Sequence, residues 1–170
     1  MKNPVTDICD LNRELPPDAP DAPQWLVDAL QVPREKGWVN SDGCDVHYFR
    51  WGDPANPPLL LMHGFLAHAR CMAFIAPFLA EQYHVVAYDL SGMGDSGVRS
   101  SYPDAVRAQE VVDVARETGL FDHAIKPIVI AHSYGGHVGL AAMNDFHELF
   151  GGLVVCDLMV LRPERLKAHF

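Results

Sequence analysis

Four short apolar runs constrain this chain most: Leu59–Met62, His84–Tyr88, Pro127–Ala131 and Gly152–Val155. Each is too short for a buried helix and too continuous for a strand with one wet face, so each reads as a strand covered on both sides. Longer stretches with helical spacing separate them. Ala67–Gln82 carries Met72, Ile75 and Leu79 on one stripe, with Pro77 to kink or restart it. Pro103–Thr118 carries Val106, Val111, Val114 and Ala115, with Gly119 as its stop, and Gly135–Phe150 follows. Strands alternating with helices predict a mostly parallel sheet between two helical layers, a three-layer α/β sandwich.

Ser41-Asp42-Gly43 reads as a hairpin turn joining Gly37–Asn40 to Val46–Trp51. The first 23 residues hold five prolines (Pro4, Pro16, Pro17, Pro20, Pro23), which excludes helix and central strand over much of that length. The expected organisation is a proline-rich arm with a short helix at Gln24–Leu30 over residues 1–36, a core over 37–161, and a new segment over 162–170.

With 170 residues, 49% of them apolar, the chain suits one globular domain. The net charge of −9, with 13 scattered Lys and Arg, argues against nucleic acid as a partner. No apolar run approaches the roughly 18 residues of a membrane span, and Met1-Lys2-Asn3-Pro4 opens no signal core, so a cytoplasmic protein is expected. Cys9, Cys44, Cys71 and Cys156 form no CxxC pair and read as free, mostly buried thiols. The nine histidines fall in no HxxxH or HExxH spacing, so no metal is expected. Gly92-Met93-Gly94-Asp95-Ser96-Gly97 is formally a GxGxxG string, but Val98–Pro103 separates it from the next helix. A pyrophosphate needs the glycines to open straight into a helix, so no dinucleotide is expected and no cofactor is implied. Oligomeric state is not legible.

Open parallel sheets place their working residues at the carboxyl ends of strands. Those ends carry His63-Gly64-Phe65, Asp89 with its glycine-rich loop, Ser133 and Asp157. Val129-Ile130-Ala131-His132-Ser133-Tyr134-Gly135-Gly136 is the most specific of them. Its small residues, Ala131 and Gly135, stand two before and two after a single serine, as a sharp strand-to-helix turn that presents a hydroxyl requires.

Together these motifs resemble the α/β-hydrolase superfamily over roughly Val39 to Phe170. His63-Gly64-Phe65 is similar to its His-Gly-x, Asp89–Gly97 to its Asp-x-x-Gly-x-Gly-x-Ser loop, and Ala131–Gly136 to its nucleophile elbow, with Ala131 where glycine is commoner. The resemblance implies Ser133 as nucleophile and an oxyanion hole from the backbone N–H groups of Phe65 and Tyr134. It implies a serine hydrolase acting on an ester, thioester or similar acyl bond of a small molecule through an acyl-enzyme. Asp157 is a candidate triad acid, with a structural aspartate as the competing reading. In the family the histidine follows the last strand. Its absence, with the last strands missing, reads as the N-terminal portion of a longer hydrolase, inactive alone, in which 162–170 begins a cap. His132 and His137 are expected to point away from the elbow tip, and His63 to shape its loop by hydrogen bonds. A non-catalytic ligand-binding protein on the same fold is the alternative function.

Overall fold

The computed structural model describes residues 23–158; the arm before them and the segment 162–170 lie outside the described residues, as does Cys9. Helix α1 spans Gln24–Gln31. The hairpin β1 (Glu35–Ser41) and β2 (Cys44–Trp51) turns at Asp42 and Gly43, both with positive φ. Then come β3 (Pro58–Met62), a 3-10 turn at Ala69–Met72, α2 (Ala76–Ala80) and β4 (His84–Tyr88). Helix α3 (Asp104–Glu117), β5 (Ile128–His132), α4 (Tyr134–Phe146) and β6 (Gly152–Cys156) complete the described chain.

The six strands form one sheet in the order β1-β2-β4-β3-β5-β6. β1 and β2 are antiparallel to each other, and β2 is antiparallel to β4. The pairs β3/β4, β3/β5 and β5/β6 are parallel, so the carboxyl ends of β3, β4, β5 and β6 share one edge.

Side chains alternate across the pleat and feed two cores. Leu60, Met62, Val86, Tyr88, Val129 and Ala131 pack against Val111, Val114 and Ala115 of α3 and Val138 and Ala142 of α4. On the other face Leu59, Leu61, Val85 and Ala87 meet Phe49, Trp51, Ala69, Ala73 and Ala76. Each fully buried large aliphatic contributes about 1.5–3 kcal/mol of transfer free energy.

Three expectations need correction. Residues 67–82 form two short pieces rather than one helix. Pro77 lies in the first turn of α2, where its missing N–H breaks no helical bond, so it restarts the chain rather than kinking it. Among the described residues β5 and β6 are not covered on both sides: Ile128 and Val154 are exposed, and α2, with five residues, packs on the β2–β4–β3 part of its face. Of the described cysteines only Cys44 is buried; Cys71 and Cys156 are exposed, and all three are free.

Candidate active site at the carboxyl edge of the sheet

Ser133 stands between β5 and α4 with φ 51° and ψ −117°, a conformation that L-residues other than glycine rarely adopt. It occupies the N-cap position of α4, yet its side chain makes no capping bond. The hydroxyl is therefore not consumed by the helix, as an ordinary N-cap serine would be. Its amide donates to the carbonyls of Cys156 (3.2 Å) and Asp157 (3.1 Å), which tie the turn to the end of β6.

Small neighbours make this turn possible. A Cβ on Gly135 would lie 2.6 Å from the His63 carbonyl oxygen, and one on Gly136 2.8 Å from a methyl of Val155. A Cβ on Gly64 would lie 3.2 Å from the Ser133 Cβ and 3.0 Å from His132 Nδ1. The backbone after β3 thus runs directly against the elbow.

Phe65 and Tyr134 come together across this gap. Their ring centroids are 5.8 Å apart in an edge-on contact, and Phe65 is 64% exposed. Neither amide has a hydrogen-bond partner among the described residues. Leu66, with φ 55°, is 81% exposed beside them. Asp157 also has a positive φ, and its carboxylate is exposed, with no hydrogen bond among the described residues. It neighbours Ser133 through its backbone, and no histidine among the described residues bonds either residue's side chain.

His132 is exposed at the end of β5. Its ring and the Ser133 Cβ both lie close to Gly64. It makes no hydrogen bond to Ser133. His137 is exposed on α4, its ring 6.4 Å from that of Tyr134.

His63 shapes its loop. The Leu90 amide donates to Nε2 at 3.0 Å, so Nδ1 carries the proton and donates to the Gly64 carbonyl at 2.7 Å. With both nitrogens engaged, His63 is the neutral tautomer, and burial pushes its pKa below the ordinary value.

Two buried networks hold the loops, and spacing alone does not reveal either. Asp89 accepts from the amides of Ala69 (2.5 Å) and Asp95 (2.9 Å) and pairs with His47 Nδ1 at 2.9 Å. Burial opposes ionisation of Asp89, but the bonds from His47, Ala69 and Asp95 outweigh it and hold its pKa below the usual carboxylate value. On α3, Glu110 is fully buried between Arg99 (3.3 Å) and Arg107 (3.4 Å), and both arginines also reach the Ser91 hydroxyl. The signal for this second network lay in α3, where Arg107 and Glu110 fall among the buried apolar positions.

These groups set a pH response. His63 and His84 both have folded pKa values below the ordinary 6.5, each lowered first by burial. Below pH 6.5 the unfolded chain therefore binds more protons than the fold, and stability falls on acidification by on the order of 1 kcal/mol per pH unit for each histidine. Asp89 has the opposite relation to its charge: its contribution is complete above the ordinary 3.8 and is lost as pH falls through its lower folded value. The midpoint of thermal unfolding is expected to fall in two stages, one beginning near pH 6.5 and one below 3.8. A flat midpoint between pH 6.5 and 5 would contradict the histidine assignment.

The motifs and the sheet define a class, and comparison with known proteins agrees with it. Residues 59–170 match the model of the alpha/beta hydrolase family, and the chain belongs to that family. It is 31% identical over 141 residues to a soluble epoxide hydrolase of Corynebacterium sp. (strain C12), covering 82% of this chain and 46% of that protein. It is 29% identical over 121 residues to a human serine hydrolase-like protein, covering 69% and 58%. Among solved structures, a bacterial membrane phospholipase A superposes with a TM-score of 0.70 at 29% identity, covering 81% of this chain and 46% of that one. A thioesterase domain from the curacin biosynthetic pathway gives 0.70 at 26% identity, covering 78% and 47%. The chain thus spans about half the length of these four proteins. No described helix is long and apolar enough to cross a membrane.

Proposed function

We propose that the chain carries the nucleophile and oxyanion half of a serine hydrolase acting on an ester, thioester or similar acyl bond of a small molecule. The observation that carries this reading is Ser133 itself: strained, uncapped and set beside the backbone after β3, with the amides of Phe65 and Tyr134 unpartnered among the described residues. Ser133 Oγ attacks the carbonyl carbon and its proton passes to a base. The carbonyl oxygen takes up negative charge against the two amides, each worth about 3–4 kcal/mol where such donors have been removed. Collapse expels the alcohol or thiol, which takes a proton, and water then releases the acid. Exposed Phe65 and Leu66 favour an apolar acyl group.

The epoxide hydrolase relative does not transfer its substrate. A serine that opened an epoxide would form an ether, which water does not cleave as it cleaves the ester left by a carboxylate nucleophile. The reading assigns the triad histidine to the part of the relatives' length that this chain does not span. Asp157 is assigned secondarily as the acid that would orient it.

A fluorophosphonate probe tests the reading. The 170-residue chain is expected to be labelled slowly, at Ser133 only, with added imidazole accelerating the reaction by supplying the base. Ser133→Ala is expected to abolish labelling. No adduct at Ser133 even with imidazole would favour a non-catalytic ligand-binding protein on this fold.

A further inference from the structure

At the opposite end of the sheet from Ser133, a cavity of about 580 Å³ opens where the starts of the parallel strands meet the carboxyl end of α3. His84, the first residue of β4, lines it while only 2% exposed. Neither of its ring nitrogens has a partner among the described residues. A buried imidazole normally satisfies both, because leaving them bare costs about 1–3 kcal/mol each. The ring of His123, in the turn after α3, lies 5.9 Å from it, tilted by 46°. Two imidazoles bound to one tetrahedral ion, with metal–nitrogen distances of about 2.0–2.1 Å, bring their ring centres to roughly 5–6 Å.

The charges around the cavity are mixed. Arg50 and Arg116 line the cavity, but Glu35 engages the first and Asp113 the second. Glu117 and Asp122 remain on the wall, beside the negative end of the α3 dipole. Neither ring nitrogen of His84 is engaged by a described residue, so the imidazole has a lone pair to offer. Imidazole donors select zinc, cobalt, nickel or copper over magnesium or calcium.

We propose that His84 and His123 together bind a divalent transition-metal ion of the zinc class, with water completing the coordination. The ion clips the start of β4 to the turn after α3, remote from the hydrolytic edge. The histidines, far apart in sequence, carry no metal spacing, and the fold alone brings them together. His47, Asp89 and Asp95 also place ligand atoms within 4.8 Å of one another. They are a poorer site, because Asp89 is filled by His47 and two amides and Asp95 by Arg70.

Cobalt(II) absorption on the full chain tests this directly. One Co²⁺ is expected to bind with the visible bands of a low-coordinate site and to be displaced by one equivalent of Zn²⁺. His84→Gln and His123→Gln are each expected to weaken Co²⁺ binding at least ~10-fold, and His147→Gln, at an exposed position, to leave it unchanged. His123 is the less buried of the pair, so His123→Gln keeps the test valid if His84→Gln fails to fold. No Co²⁺ binding below millimolar concentration would overturn the proposal. So would binding that survives His123→Gln, or that is lost in Asp95→Asn or Cys71→Ser instead.

Discussion

Asp89→Ala is expected to destabilise the fold by about 3–5 kcal/mol, the cost of removing one partner from a buried charged network. The carboxylate is 1% exposed and closes three contacts at once: the His47 ring, the Ala69 amide and the Asp95 amide. Its loss leaves the buried His47 ring and Ala69 amide and the part-buried Asp95 amide without this partner, and loosens both the segment after β3 and the glycine-rich loop. Domains of this size are stable by only about 5–15 kcal/mol, so the variant would be partly unfolded or close to it. Urea unfolding of the two proteins measures the difference. Asp89→Asn is expected to fall between them, because it keeps one of the two acceptor oxygens and loses the charge. A loss under about 1 kcal/mol in Asp89→Ala would show the network to be dispensable, contrary to the cost of unpaired buried groups.

Gly135→Val is expected to cost about 3 kcal/mol or more and to remove whatever reactivity Ser133 has. A Cβ there meets the backbone of β3's end, the His63 carbonyl oxygen at 2.6 Å and the Met62 carbonyl carbon at 3.1 Å, rather than a side chain that could swing aside. Overpacking of this kind typically costs about 1–3 kcal/mol, and the two added methyl groups raise it. Relief requires α4 to back away from β3, which carries Tyr134 away from Phe65. Stability and fluorophosphonate labelling should therefore fall together. Gly152→Ala is the matched control, since a Cβ there meets nothing within 4 Å. Wild-type labelling in Gly135→Val would mean that the elbow does not depend on this close approach.

Much of the fold was legible because its signals are local. Short apolar runs set β3, β4, β5 and β6 to within a residue or so at each end. Glycine in left-handed backbone set the ends of elements, as at Gly43 and Gly119. Ser133 was legible for the same reason: small residues on both sides of one serine mark a turn whose crowding is decided within a few positions. The 3-10 turn and short α2 were not, because their apolar stripe fits a single helix equally well and only packing onto β2–β4–β3 divides it. Exposure of Ile128 and Val154 was likewise hidden, since an apolar run does not record which face finds a covering layer.

By itself, the order of residues determined the sheet-forming segments, the strained serine and the two loops that flank it, since each follows from steric and hydrophobic demands among near neighbours. Tertiary structure alone decided that Asp89 binds His47, that Glu110 holds two arginines, and that His84 faces His123. All of them except Arg107–Glu110, which stand three apart on α3, join residues from different elements. Their energies depend on distances across the fold and on exclusion of water, and neither quantity is written in local sequence.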